Sequence, residues 1–141
     1  MAKKKVVKLQ LDNDYDFVLL GLVSTAKDYR VCHLLNKMFE LDLCKGDDIS
    51  ITINKKGNSN QFSYYDFVNE DHEEFYFISN KGKTTSFIPE YKLLDYFLLV
   101  KNQVSPNCEN EILEKLKGNS LILGVYPINV FELKSRDNLM F

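Results

Sequence analysis

Hydrophobic and polar positions alternate near the start of the chain in a way that predicts strands. Val7, Leu9 and Leu11 alternate with polar residues, as in a strand with one buried face. Residues 17–23, FVLLGLV, form a short apolar run whose β-branched residues and central glycine favour a strand, although the hydrophobic period alone leaves a helix open. We therefore predict strands over residues 3–11 and 17–23.

The next segment has the period of an amphipathic helix. Thr25 and Asp28 have the spacing of a capping box, with Asp in place of the usual Glu. The apolar residues that follow fall at positions i, i+3, i+4 and i+7, namely Val31, Leu34, Leu35 and Met38. The sequence therefore predicts a helix over residues 26–40.

The middle of the chain predicts three strands separated by polar segments. Residues 49–54, ISITIN, alternate cleanly, and residues 55–60 predict a loop because they are rich in Gly, Asn and Ser. Residues 61–68 and 73–78 are two aromatic-rich strands joined by the acidic segment NEDHE, which is the pattern of a hairpin.

The last third of the chain predicts a strand, a helix and another strand. Residues 96–100 are apolar, and Ser105 and Pro106 suit the N-cap and the first position of a helix. Gly118 is a natural stop, residues 121–125 are apolar again, and residues 128–141 form a short extension. The connection between the two strands is long enough for them to pair in parallel.

Together these elements predict an α+β fold. We expect a single domain over residues 1–141, with a mostly antiparallel sheet of about six to seven strands, two main helices and a C-terminal strand–helix–strand unit. The abundance of Phe and Tyr also favours a sheet-rich fold.

Charge and cysteine content limit the classes of function. The net charge of −2 provides no basic field for phosphates, which weakens a nucleic-acid hypothesis. Cys32, Cys44 and Cys108 are an odd number of cysteines at wide spacing, which indicates reduced thiols in a cytoplasm. The apolar run at 17–23 is too short to cross a membrane, so we expect a cytoplasmic protein without a membrane span.

Candidate chemistry is sparse. The chain has no P-loop, dinucleotide fingerprint, nucleophile elbow or HExxH motif. His72 lies among acidic residues but lacks the Cys or second His that zinc usually takes, so a solvated hairpin tip is favoured. Adjacent Cys32 and His33 point about 100° apart on a helix and cannot easily share a metal. We predict no catalytic, cofactor-binding or metal-binding residue and no cofactor.

Residues 86–102, SFIPEYKLLDYFLLVKN, predict a joint between extended segments. Pro89 forces Ile88 into an extended conformation and suits the first position of a helical turn. Glu90 then lies where the unpaired N–H groups of the turn favour a carboxylate, and Asp95 opens the next strand. A capping role is favoured over a catalytic carboxylate pair. We expect Arg30 to lie near one of these carboxylates and to tie the first helix to the joint.

The string IPEYKLLDY, residues 88–96, resembles the signature of the IPExxxVDY family, small bacterial proteins named for that string, with Leu94 in place of the valine. The family also tends to carry Asp-Tyr-Arg in its first helix, which residues 28–30 match. The resemblance covers nearly the whole chain, including the NLMF end, and implies a cytoplasmic bacterial protein. Genes of this family lie beside those for ribonuclease III and pyruvate kinase, and the resemblance carries over no catalytic residue. The motif residues, which are candidates for interaction, are Ile88, Pro89, Glu90, Asp95, Tyr96, Asp28, Tyr29 and Arg30.

Three function hypotheses follow. The favoured one is a non-enzymatic module that binds another protein through an exposed sheet edge or the surface near Pro89. The alternative is an RNA- or ribosome-associated accessory protein, suggested by basic and aromatic residues, namely Lys3, Lys4, Lys5, Lys8, Tyr64, Tyr65 and Tyr76. The third is a small enzyme, which requires a pocket where Glu90, Asp95, Arg30 or His33 converge. The oligomeric state stays open.

Overall fold

The sheet and its two helices are seen in a computed structural model, which describes residues 17–52, 59–82 and 85–139. In chain order the elements are β1 (Val18–Val23), α1 (Asp28–Phe39), β2 (Cys44–Lys45), β3 (Ile49–Thr52), β4 (Ser59–Phe62), β5 (Tyr64–Val68), β6 (Glu74–Ser79), β7 (Tyr96–Lys101), α2 (Cys108–Leu116) and β8 (Gly124–Pro127). Three short 3-10 turns span Pro89–Tyr91, Val130–Glu132 and Arg136–Leu139.

Six strands form one sheet in the order β2-β5-β6-β7-β1-β8, and β3 and β4 form a separate two-stranded sheet. Every strand pair in the described residues is antiparallel. The predicted α+β class, with two helices and a mostly antiparallel sheet, is therefore confirmed. Neither described helix has the length and hydropathy that crossing a bilayer requires.

The strand β1 is apolar throughout, and β7 is apolar up to Lys101 at its end, because both faces of the sheet are covered. Successive side chains of a strand point to opposite faces. Leu20 and Leu22 of β1 accordingly join the core beneath the helices, and Leu19 joins the core on the other face. This explains why residues 17–23 show no alternation and still form a strand.

The helices α1 and α2 cover one face of the sheet. Val31 and Leu35 of α1 and Ile112 and Leu116 of α2 are buried against it, which accounts for the helical period in the sequence. The predicted capping box is wrong, because the N-cap residue is Lys27 and it makes no side-chain hydrogen bond to the helix.

The other face is covered by the β3–β4 hairpin, by residues 85–94 and by the C-terminal segment that follows β8. Their buried side chains form a second core with β1 and β7, namely Phe62, Phe87, Ile88, Leu94, Ile128, Val130, Leu133 and Leu139. The segment after residue 128 is therefore more than an extension, since it forms part of a layer.

The predicted hairpin of two aromatic-rich strands is confirmed, since β5 pairs with β6, but the strand predicted over residues 61–68 is broken at Ser63. The residues before the break belong to β4 and pair with β3, whereas those after it belong to β5 and pair with β6. The predicted loop over 55–60 is also partly wrong, since Ser59 and Asn60 lie in β4. The predicted strand over residues 3–11 lies outside the described residues, as do residues 53–58.

The last third of the chain departs from prediction in its pairing. β7 and β8 run parallel to each other but do not pair, because β1 lies between them and is antiparallel to both. The helix α2 begins at Cys108 with Asn107 as its N-cap, two residues later than predicted. Its end is confirmed, since Gly118 has a φ of 81°, which only glycine adopts easily. The predicted bounds of the final strand, residues 121–125, are wrong, because β8 spans Gly124–Pro127 and pairs with β1 over these four residues.

Candidate functional site

The loop formed by residues 88–96, called the motif loop, has the local geometry that its sequence predicts. Ile88 is extended, with φ −118° and ψ 96°, and Pro89 is the first residue of the 3-10 turn Pro89–Tyr91. Ile88 is fully buried, whereas residues 89–93 are exposed. The motif therefore has an inner part that belongs to the second core and an outer part that faces solvent.

Asn80 holds this loop from inside, and no sequence pattern had singled it out. Its side chain and backbone are fully buried. It makes five hydrogen bonds to backbone groups on both sides of the turn: the N–H groups of Ile88 (2.9 Å) and Phe87 (2.8 Å), and the carbonyls of Tyr91 (2.9 Å), Leu94 (2.8 Å) and Asp95 (3.0 Å). Because buried backbone groups must be paired, one side chain fixes the shape of the whole loop.

Asp95 and Tyr96 connect the loop to the start of α1. The Asp95 carboxylate accepts the N–H of Ser24 at 2.9 Å, and the buried Tyr96 hydroxyl donates to the Ala26 carbonyl at 2.6 Å. Ser24 in turn donates from its hydroxyl to the Leu121 carbonyl at 2.7 Å. These contacts fix residues 24–26, which precede the helix.

Asp28, from the other half of the motif, lies beside the same segment. One carboxylate oxygen accepts the Tyr29 N–H at 2.8 Å and the other accepts the Ser63 hydroxyl at 3.0 Å. Burial raises the pKa of Tyr96 to about 12, with the charge of Asp28 adding to the effect, and the pKa of Tyr65 rises to about 12 for the same two reasons. The two halves of the motif therefore meet around the first turn of α1.

Glu90 connects the exposed turn to the C-terminal segment. Its carboxylate accepts the Ser135 N–H at 2.9 Å and the Ser135 hydroxyl at 2.7 Å. Packing around the carboxylate would by itself raise its pKa, but the hydrogen bonds from Ser135 outweigh this and leave the pKa of Glu90 below its usual value. The sequence predicts a carboxylate at the N–H groups of its own turn, whereas the hydrogen bonds of the Glu90 side chain come from Ser135 of the C-terminal segment.

Arg30 does not supply the expected connection between helix and joint. Within the described part of the chain, no ion pair joins Arg30 to Glu90 or Asp95. Arg30 instead lines a surface depression of about 430 Å³ together with Tyr29 and His33. The two carboxylates accept hydrogen bonds from uncharged donors instead, Asp95 from Ser24 and Glu90 from Ser135.

The cysteines and the acidic hairpin tip show no catalytic arrangement. Burial raises the pKa of Cys32 and of Cys108 to about 11, with neighbouring carboxylates adding to the effect, so both thiols stay protonated at neutral pH and are poor nucleophiles. Cys44 is exposed, and all three cysteines are free. No group of three or more metal-ligating side chains is found in the residues the structure describes. His72 is exposed at the hairpin tip with a positive φ of 66°.

A cleft of about 720 Å³ opens on the helix side of the sheet, between the end of α1, the tip of the β5–β6 hairpin and the segment that leads into α2. Its floor is apolar and its rim carries carboxylates from three parts of the chain that are far apart in sequence. The one part of this cleft that stands out in the sequence is the acidic segment 69–73, whose pattern predicts a solvated hairpin tip. The rim residues are Glu40, Glu70, Asp71, Glu73 and Glu111.

Comparison of the chain with models of protein families, with curated proteins and with solved structures gave no match. The function is therefore argued from the geometry of the motif loop and of the cleft.

Proposed function

We propose that this chain is a member of the IPExxxVDY family and a non-enzymatic module that binds another protein through the surface around Pro89. The proposal includes a cytoplasmic location in a bacterium, which the reduced cysteines and the family resemblance favour. The observation that carries it is the exposure of Leu93, which is 83% exposed at the outer end of a loop that is otherwise fixed.

Three exposed apolar side chains lie in the loop around Pro89 and in the segment beside it. Leu93 has the highest exposure among the large hydrophobic residues of the described chain, and Tyr91 beside it is also exposed. The adjoining C-terminal segment, which Glu90 contacts through Ser135, exposes Phe131. Removing such surface from water on binding is favourable by roughly 25 cal/mol per Å² of apolar area.

The rigidity of the loop also suits a binding surface. Asn80 fixes the backbone on both sides of Pro89, and Glu90 fixes the turn from outside. A surface that is already ordered loses little conformational freedom when it binds, so more of the contact energy appears as affinity. The polar groups of the motif are thereby explained as supports for an apolar contact.

The other two hypotheses receive less support from the geometry. The depression lined by Arg30 and His33 includes neither Glu90 nor Asp95, so the four residues of the enzyme hypothesis do not converge there. The tyrosines proposed for RNA stacking are divided between the two faces of the sheet, since Tyr65 packs with the core beneath the helices and Tyr76 with the other core. Lysines 3, 4, 5 and 8 lie outside the described residues.

The test is affinity purification of the tagged protein from its own cells, with and without nuclease. We expect a stoichiometric protein partner that nuclease does not remove, that Leu93→Ser loses and that Leu123→Ser retains. Leu123 is the matched control because it is 64% exposed and lies immediately before the edge strand β8. Loss of the partner on nuclease treatment would favour the RNA hypothesis, and equal recovery with Leu93→Ser would refute the proposed surface.

A further inference from the structure

The cleft beneath the helices lies on the opposite face of the sheet from the surface around Pro89, so it is a separate site. Its apolar floor is built from side chains of both helical segments and of the sheet. The rings of Phe67 and Phe75, from neighbouring strands, have their centres 6.4 Å apart. The other apolar residues of the floor are Phe39, Leu41, Leu98 and Ile112.

The rim of this cleft is acidic. Five carboxylates line it, and no lysine, arginine or histidine does so within the described part of the chain. The ammonium group of Lys115 in α2 lies 5.3 Å from the ring centre of Phe39, but Lys115 does not line the cleft. The whole chain has nearly balanced charge, with 18 basic and 20 acidic residues, so this concentration of one sign is local.

The partners of the rim carboxylates leave their charge uncompensated. Glu73 accepts hydrogen bonds from the Asn69 amide at 2.9 Å and the Val104 N–H at 3.0 Å, and Glu111 accepts one from the Ser105 hydroxyl at 3.2 Å. All of these donors are neutral. Cations from a partner would therefore meet negative charges that form no ion pair within the described residues.

One strand edge beside the cleft is also open. β2 pairs with β5 only at Tyr65 and Asp66, so in the described structure no strand pairs with β5 on that side at Phe67 and Val68. Phe67 lines the cleft, and Val68 is exposed. An extended segment can add to such an edge by backbone hydrogen bonds and place alternate side chains on one face.

We propose that this cleft binds a lysine- or arginine-rich segment of another protein in an extended conformation. Its alternate apolar side chains enter the floor, its cations meet the rim, and its backbone continues the sheet beyond Asp66 along β5. This inference does not depend on the proposed role of the Pro89 surface.

The chemistry of the cleft selects against other ligands. Nucleic acids and anionic lipid surfaces carry phosphates, which the five carboxylates repel. A small polyamine would satisfy the rim but would leave the aromatic floor and the open edge of β5 without partners. A basic segment with alternating apolar residues satisfies all three features.

The test is a titration of the full-length protein into a fluorescent peptide of alternating lysine and leucine, measured by anisotropy. The variant Glu40→Lys/Glu70→Lys reverses two exposed rim charges, and Glu114→Lys/Glu132→Lys makes the same charge change at two exposed carboxylates outside the cleft. We expect the first variant to bind at least about tenfold more weakly and the control to stay within about twofold of the wild type. Glu70→Lys alone provides a second variant if the double variant does not fold.

Three further measurements distinguish the proposed ligand of the cleft from the alternative ligands. A peptide of alternating lysine and serine should bind at least about tenfold more weakly than the lysine–leucine peptide, because it cannot use the floor. Competition by spermidine at the same concentration as the peptide would overturn the proposal in favour of a small cation. Unchanged affinity in the rim variant, or equal binding of the two peptides, would also overturn it.

The last experiment asks whether a segment of this chain itself occupies the cleft, because residues 3–11 combine four lysines with alternating valine and leucine. Carbodiimide cross-linking joins amines directly to carboxylates, and the protein alone should give no link between Lys3, Lys4, Lys5 or Lys8 and the rim. Such links within one chain, or between two copies, would assign the cleft to the chain's own segment or to a second copy and would overturn the proposal of a foreign partner.

Discussion

Replacing Asn80 with alanine would remove the side chain that shapes the motif loop. The substitution leaves two buried backbone groups without a partner, the Ile88 N–H and the Leu94 carbonyl, whereas the Tyr91 carbonyl still accepts the Leu94 N–H at 3.0 Å. An unsatisfied buried polar group costs about 1–3 kcal/mol, so two of them would cost about 2–6 kcal/mol if nothing relaxed. Water can enter the space that the side chain leaves, and we therefore expect a loss of about 2–4 kcal/mol.

The assay is equilibrium unfolding in urea, compared between the wild type, Asn80→Ala and Asn129→Ala. Asn129 is the matched control because it is exposed and its side chain accepts a single hydrogen bond, from the Phe131 N–H at 3.0 Å. We expect the control to lose no more than about 1 kcal/mol. Since a domain of this kind has a total stability of about 5–15 kcal/mol, the difference between the two variants is readily measured.

The size of the loss in the free energy of unfolding tests whether Asn80 organises the motif loop. A loss below about 1 kcal/mol for Asn80→Ala, or a loss equal to that of Asn129→Ala, would refute the view that this residue organises the loop. Hydrogen exchange gives a second, local measurement: the amide of Ile88 should lose protection in Asn80→Ala and keep it in the control.

Three other predictions follow from the motif and the cysteines. Tyr96→Phe should lower the free energy of unfolding by about 1–2 kcal/mol, because the Ala26 carbonyl loses its donor. Glu90→Gln should destabilise the protein at neutral pH, and its difference from the wild type should shrink as the pH falls below 4.5, since a carboxylate with a lowered pKa stabilises the fold only while it is ionised. A thiol reagent should modify one cysteine in the native protein, Cys44, and reach the other two only on unfolding.

Each of these three predictions has an outcome that would contradict it, and the two substitutions each have a control variant. Tyr91→Phe, at a partly exposed tyrosine, should change stability little, and an equal loss in both tyrosine variants would contradict the role of the buried hydroxyl. Glu132→Gln, at an exposed glutamate, should show no such pH dependence, and a constant difference between Glu90→Gln and the wild type at all pH values would count against the lowered pKa. Modification of three thiols in the native state would contradict the burial of two of them.

Much of the local structure could be predicted because it depends on neighbouring residues. The helix period gave α1 and α2, since one face of each helix meets the sheet. Pro89 predicts that the residue before it is extended and that a turn follows it, because its ring restricts both positions. The apolar runs in β1 and β7 predicted strands, because a strand covered on both faces has no reason to alternate.

The parts that could not be predicted depend on residues distant in sequence. Nothing in the segment around Ser63 indicates that the strands before and after it join different sheets, because the pairing partners decide this. The position of β1 between β7 and β8 is likewise a matter of pairing. Asn80 is a loop asparagine by its local sequence, and only its burial shows its role. The acidic rim of the cleft combines three separate segments, so no window of the sequence contains it.

The most direct test of the central claim asks whether Leu93 touches another protein inside the cell. Leu93 is replaced by a photo-crosslinking derivative of phenylalanine, and Leu123 is replaced in the same way as the control. After irradiation we expect one discrete protein to be joined to the chain at position 93 and not at position 123, with or without nuclease. No adduct at position 93, or the same adducts from both positions, would contradict a binding surface around Pro89.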